Sequence, residues 1–131
     1  MELIRPFARI GKDDAALAGG KGASLGELTA AGIPVPPGYV VLAAAFERFL
    51  EESNLNQELH TILDNVRREE MRSIEQASER INALILNAPM PEDIAVLIRE
   101  NFAALDSTYV AVRSSATAED GGKSKTLRFI G

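Results

Sequence analysis

Four apolar stripes at helical spacing, separated by turn residues, limit what this chain can fold into. Leu42, Phe46, Phe49 and Leu50 recur at one-turn and two-turn spacing, with Glu47, Arg48, Glu51 and Glu52 off the stripe. After Ser53 and Asn54 come Leu55, Leu59, Ile62, Leu63 and Val66, with Asn54 and Gln57 at capping-box spacing. A charged bridge, RREE, precedes a longer stripe of Met71, Ile74, Ala77 or Ser78, Ile81, Leu84 or Ile85 and Ala88, which Pro89 stops. Pro91, Glu92 and Asp93 suit the first turn of a last helix through Ile94, Leu97, Ile98, Phe102 and Leu105, ending near Asp106 and Ser107.

The strand signals are fewer. LIRPF at the start suits a short edge strand, because Pro6 cannot donate to a central ladder. Pro34, Pro36, Pro37 and Gly38 make a stiff turn, and the β-rich run Tyr39 to Leu42 then reads as a buried strand. Tyr109 to Arg113, YVAVR, also reads as a buried strand that ends on a charge at a functional edge, and TLRFI is a possible final one. The expected fold class is α+β, with helices on a small sheet.

With 131 residues, 46% of them hydrophobic and 25% charged, the chain is expected to form a single domain over residues 1–131. A net charge of −5 argues against a nucleic-acid or anionic-membrane surface. The longest apolar run, Tyr39 to Phe46, is too short to span a bilayer, and the absence of cysteine fits a reducing compartment. A cytoplasmic protein is expected.

Residues 19 to 24, GGKGAS, deliver Lys21 to the start of a helix that begins between Gly20 and Ser24 and ends at Gly32. Ser24 and Glu27 there match a capping box. A helix N-terminus favours negative charge, so a cation there raises the question of a bound anion. The stretch is not a Walker A loop: Ala15 stands where its first glycine should be, and Gly22 where its hydroxyl should be. Gly122-Lys123-Ser124 fails similarly, with Thr117 in the first-glycine position. On spacing alone, a glycine turn before a helix is the better reading of GGKGAS.

Arg113-Ser114-Ser115 admits two readings. The arginine can pair with Glu119 or Asp120 at the surface, or its guanidinium and the neighbouring hydroxyls can clamp an anion. His60, the one histidine, sits within a helical pattern without hydroxyl or glycine neighbours and reads as a surface residue. Glu119 and Asp120 are types that bind magnesium, but adjacent acids in a turn usually stay solvated.

GGKGASLGELTAAGIPVPPGYVVLAAAFERFLEE together with YVAVRSSATAED resembles the N-terminal nucleotide-binding domain of the phosphoenolpyruvate synthase and pyruvate, phosphate dikinase family. The resemblance runs from about Ile10 to Asp120, and RSSATAED looks more like the phosphoenolpyruvate synthases and rifampicin phosphotransferases than the dikinases. It implies the helix-rich N-terminal portion of an ATP-grasp domain, in an enzyme that passes the β-phosphoryl of ATP to a histidine on a swivelling domain and then to pyruvate or another acceptor. By the match, Lys21 and Arg113 contact the ATP phosphates, and Ser114, Ser115, Thr117, Gly121 and Gly122 are further candidate contacts. The implied cofactor is ATP with Mg2+, and no catalytic or metal-binding residue of the family falls within the chain.

Two departures accompany the resemblance. After the acidic pair the family continues into a small-residue stretch, a glycine-glutamine loop over the phosphates and a strand, whereas here residues 121–131 form a divergent tail, GGKSKTLRFIG. The family's adenine-lining, metal-binding, phosphohistidine and pyruvate-binding regions lie downstream. The expectation is therefore a truncated, ATP-binding fragment of a phosphotransferase, inactive alone, with a nucleotide as its partner. The alternatives are a fragment of a rifampicin phosphotransferase-like enzyme, or a non-enzymatic half-domain that forms a homo-oligomer or pairs with a complementing chain.

Overall fold

The computed structural model describes residues 2–117. Its elements are β1 (Ile4–Pro6), 3-10 turns at Phe7–Arg9 and Lys12–Asp14, α1 (Ala15–Ala30), β2 (Tyr39–Val41), α2 (Ala43–Glu52), α3 (Asn56–Asp64), α4 (Met71–Asn87) and α5 (Glu92–Leu105). The class is α+β, helix-rich with a small sheet, as the stripes predict. The described residues divide into two compact units, residues 2–46 with 92–117 and residues 47–91.

In the first unit β1 and β2 pair antiparallel, with Ile4 opposite Val41, Arg5 opposite Val40 and Pro6 opposite Tyr39. Backbone bonds from Leu42 N to Leu3 O (2.8 Å) and from Phe7 N to Gly38 O (3.0 Å) extend the pairing at its two ends. Pro6 thus stands on an edge strand, where its missing N–H costs little. One apolar cluster joins Leu3, Ala45 and Ile94, with Ala44, Leu97 and Ile98 packed against them. A second joins Ile10, Ala18 and Leu42, with Val40 alongside. The Tyr39 hydroxyl donates to the Ile98 carbonyl at 3.1 Å, tying β2 to α5, and burial pushes its pKa up. Arg5 forks onto both Glu2 oxygens at 2.6 and 3.1 Å and reaches Asp14 at 3.3 Å, and its hydrogen bond holds the Glu2 carboxyl below the usual range.

Helix α1 is broken at Gly19, whose φ of 78° and ψ of 168° are not helical, so a continuous helical run begins at Gly20, inside the expected window. The Ser24–Glu27 capping box does not form, because Ser24 already lies within the helix. The far end closes as expected at Gly32, where φ is 81°. Ile33 N donates to Leu28 O and Gly32 N to Thr29 O, the paired bonds of a Schellman motif.

In the second unit α3 and α4 follow the expected bounds closely, and Leu55 and Ile62 are buried. The capping box at Asn54 and Gln57 is not made: Asn54 takes a left-handed turn, φ 55°, which asparagine tolerates, and Leu55 occupies the N-cap. Arg80 on α4 reaches Glu58 on α3 at 3.4 Å.

Three expectations about burial are corrected. β2 is half-buried, with Val41 exposed, because a two-stranded ribbon covers only part of its own faces. Phe46 and Leu63 are exposed although both belong to apolar stripes, since small Ala45 and neighbouring Ile62 take the inward positions instead. Tyr109 to Arg113 is not a strand: Tyr109 and Val112 are 89% and 91% exposed. Among the described residues the sheet contains β1 and β2 alone, so the β-branched run has no pleated surface to fit. TLRFI lies outside the described residues.

Ile94→Ala, at a side chain 3% exposed, should destabilise the chain by about 2–5 kcal/mol. Leu86→Ala, at a side chain 83% exposed, should cost less than about 0.5 kcal/mol, and urea unfolding measures both.

Candidate functional site

The break in α1 is where the candidate residues gather. Gly19 turns the backbone out of the helix and Gly20 restarts it, so Gly20, Lys21 and Gly22 open a first helical turn in which the Gly20 and Gly22 amides look outside the helix for acceptors. Those amides find acceptors far along the chain. Gly22 N donates to the Ser115 hydroxyl at 3.0 Å, 93 residues away, and Gly20 N donates to the Ala116 carbonyl at 3.1 Å. The same Ser115 hydroxyl donates to the Ala18 carbonyl at 2.7 Å. One side chain therefore caps the helix after the break, the task an N-cap serine performs locally, and also donates to a carbonyl before it.

Gly19 is the residue that lets the two segments come together. A Cβ there would collide with the Ser115 hydroxyl and lie 2.6 Å from the Ser115 carbonyl carbon and oxygen. Its φ and ψ also fall in a region that is essentially glycine-only. Sequence reading treats GGKGAS as a turn or a phosphate site. It misses that Ser115 supplies the cap, for which no local spacing gives a signal.

Lys21 is exposed, on the turn that Ser115 caps. Arg113 and Ser114 are exposed in the stretch just before Ser115, Ser115 itself is half-buried, and Thr117 is exposed at the end of the described residues. The structure thus brings the GGKG turn and the RSSA stretch into direct contact, which spacing alone could not establish. Gly121 and Gly122 lie outside the described residues, as do Glu119, Asp120, Lys123 and Ser124. His60 is exposed on α3 in the second unit.

The electrostatics are specific. A lysine in the first turn opposes the helix dipole at a cost of about 0.3–1 kcal/mol. The Gly20 and Gly22 amides, which would cradle a phosphate in a glycine-rich loop, are already bonded to Ala116 and Ser115. An anion here would meet cationic side chains rather than a backbone nest. Among the described residues no three His, Asp or Glu side chains gather as a metal site, and no single helix is long and apolar enough to cross a membrane.

Residues 15–126 match the family model described as the pyruvate phosphate dikinase AMP/ATP-binding domain. A probable phosphoenolpyruvate synthase of Methanothermobacter thermautotrophicus is 47% identical over 126 residues, covering 92% of this chain and 18% of that protein. The phosphoenolpyruvate synthase of Pseudomonas aeruginosa is 38% identical over 128 residues, covering 92% and 16%, and that of Escherichia coli is 36% identical over 126 residues, covering 90% and 16%. The chain spans less than a fifth of the length of these curated relatives.

Gly19→Ala should lower unfolding free energy by about 2–4 kcal/mol, combining backbone strain with the Ser115 collision. Gly32→Ala has positive φ but open space around it and should cost only about 1 kcal/mol. Urea denaturation of the two variants separates the effects.

Proposed function

The chain belongs to the pyruvate phosphate dikinase AMP/ATP-binding domain family, and from that premise we propose that it forms one wall of an ATP site, with Lys21 and Arg113 holding the polyphosphate. The observation that carries this reading is the junction of Ser115 with Ala18 and Gly22, which sets the RSSA stretch against the turn bearing Lys21. The two cations neutralise phosphate charge, Arg113 by a planar fork and Lys21 as a point charge beside the helix start. The work is positioning and electrostatic stabilisation, the main needs of phosphoryl transfer.

The relatives' names support extending the proposal to a phosphoenolpyruvate synthase-like enzyme; from the resemblance of its motifs we read it as a phosphotransferase of the ATP-grasp type, in which this chain binds nucleotide and the acceptor chemistry belongs to other parts. Magnesium would partner the nucleotide. The described residues offer no cluster for it, so no step is assigned to the ion. The exposure of Tyr109 and Val112 favours a second reading, a non-enzymatic module that self-associates or pairs with a complementing chain.

Calorimetric titration of the full chain should show saturable ATP binding, weakened about tenfold or more in both Lys21→Ala and Arg113→Ala. Equal, weak binding in wild type and variants, with concentration-dependent association in light scattering, would overturn the nucleotide reading and select the second. Incubated with ATP, magnesium and pyruvate, the chain alone should form no phosphoenolpyruvate. Its appearance would contradict the assignment of the chemistry to other parts.

A further inference from the structure

We infer that Ser115 is a positioning residue: its hydroxyl holds the Arg113 arm against the first turn that carries Lys21, so that both cations meet one polyphosphate. This rests on the nucleotide reading above and adds to it a side chain that acts without touching phosphate. A serine hydroxyl has one proton to give, and that of Ser115 goes to the Ala18 carbonyl at 2.7 Å, while the oxygen accepts from Gly22 N at 3.0 Å. No donor is left for an anionic oxygen.

The tether runs on both sides of the Gly19 break. Ala18 lies before it, and Gly20 and Gly22 lie after it, with Gly20 N bonded to Ala116 O at 3.1 Å. Ser115 therefore holds its own segment to the backbone on both sides of the break. Arg113 is two residues upstream and Lys21 adjoins Gly22. Given the 3.0 Å bond from Gly22 N to Ser115, standard backbone dimensions keep their Cα atoms within roughly 15 Å of each other. Two long cationic side chains can reach a common triphosphate across that span. Tyr109, Val110 and Val112, which precede the tether, are exposed and outside the sheet, so the arm's placement rests on its anchored end.

The test is a double-mutant cycle on the full chain, with ATP affinity measured by calorimetry for wild type, Ser115→Ala, Arg113→Ala and the double variant. Ser115→Ala should weaken ATP about tenfold, from loss of two hydrogen bonds that place the arm. In the Arg113→Ala background the same change should cost less than about twofold, because there is no guanidinium left to place. Wild-type affinity in Ser115→Ala, or losses that multiply fully in the double variant, would overturn the positioning role while leaving the nucleotide reading intact. Absence of saturable ATP binding in wild type would overturn the nucleotide reading and this role with it. If circular dichroism shows Ser115→Ala unfolded, Ser115→Cys, whose thiol is a weak donor of similar size, enters the same cycle with the same deciding outcomes.

Discussion

Ser115 bonds the backbone on both sides of Gly19, and with the Gly20–Ala116 bond it joins the two segments that carry the candidate residues. Each of these neutral hydrogen bonds contributes on the order of 1 kcal/mol net, yet they close loops of 93 and 97 residues. The approach requires a residue without Cβ at position 19, in a conformation that other residues scarcely adopt. Small residues around the break, Ala18, Gly20, Gly22 and Ala23, are all buried, so backbone meets backbone where larger side chains would hold the segments apart. The rest of the unit supports this junction: Ala18 is also a member of the cluster with Ile10 and Leu42, which links the break to the β1–β2 ribbon.

This arrangement separates backbone from side-chain donors. The Gly20 and Gly22 amides face inward to protein acceptors and define geometry, whereas the Lys21 and Arg113 residues are exposed. A phosphate loop of the Walker type uses one loop for both kinds of donor. In the proposed site the same elements would be distributed over two distant stretches of sequence, so GGKG can fail that pattern and still place a lysine where a helix start would not otherwise favour one.

Much of the helical fold was legible, because long periodic stripes with proline stops are governed by local chemistry. The bounds of α4 and α5 follow from Pro89 and Pro91, and the end of α1 follows from Gly32. What failed was context. Two capping boxes matched by spacing are unmade because Ser24 sits inside a helix and Asn54 in a left-handed turn. YVAVR has the composition of a strand but no neighbour among the described residues to pair with. For the candidate site, residue chemistry raised Lys21 and Arg113 and family resemblance assigned them to phosphate. The contact between the GGKG turn and the RSSA stretch was invisible, since a hydroxyl reaching across 93 residues leaves no periodic trace.

The RSSA stretch is docked on the GGKG turn in the chain itself, without nucleotide. A nuclear Overhauser spectrum of the nucleotide-free, isotope-labelled protein should therefore show a cross-peak between the Gly22 amide proton and the β protons of Ser115. Assigned, resolved resonances for both residues with no such cross-peak would contradict it.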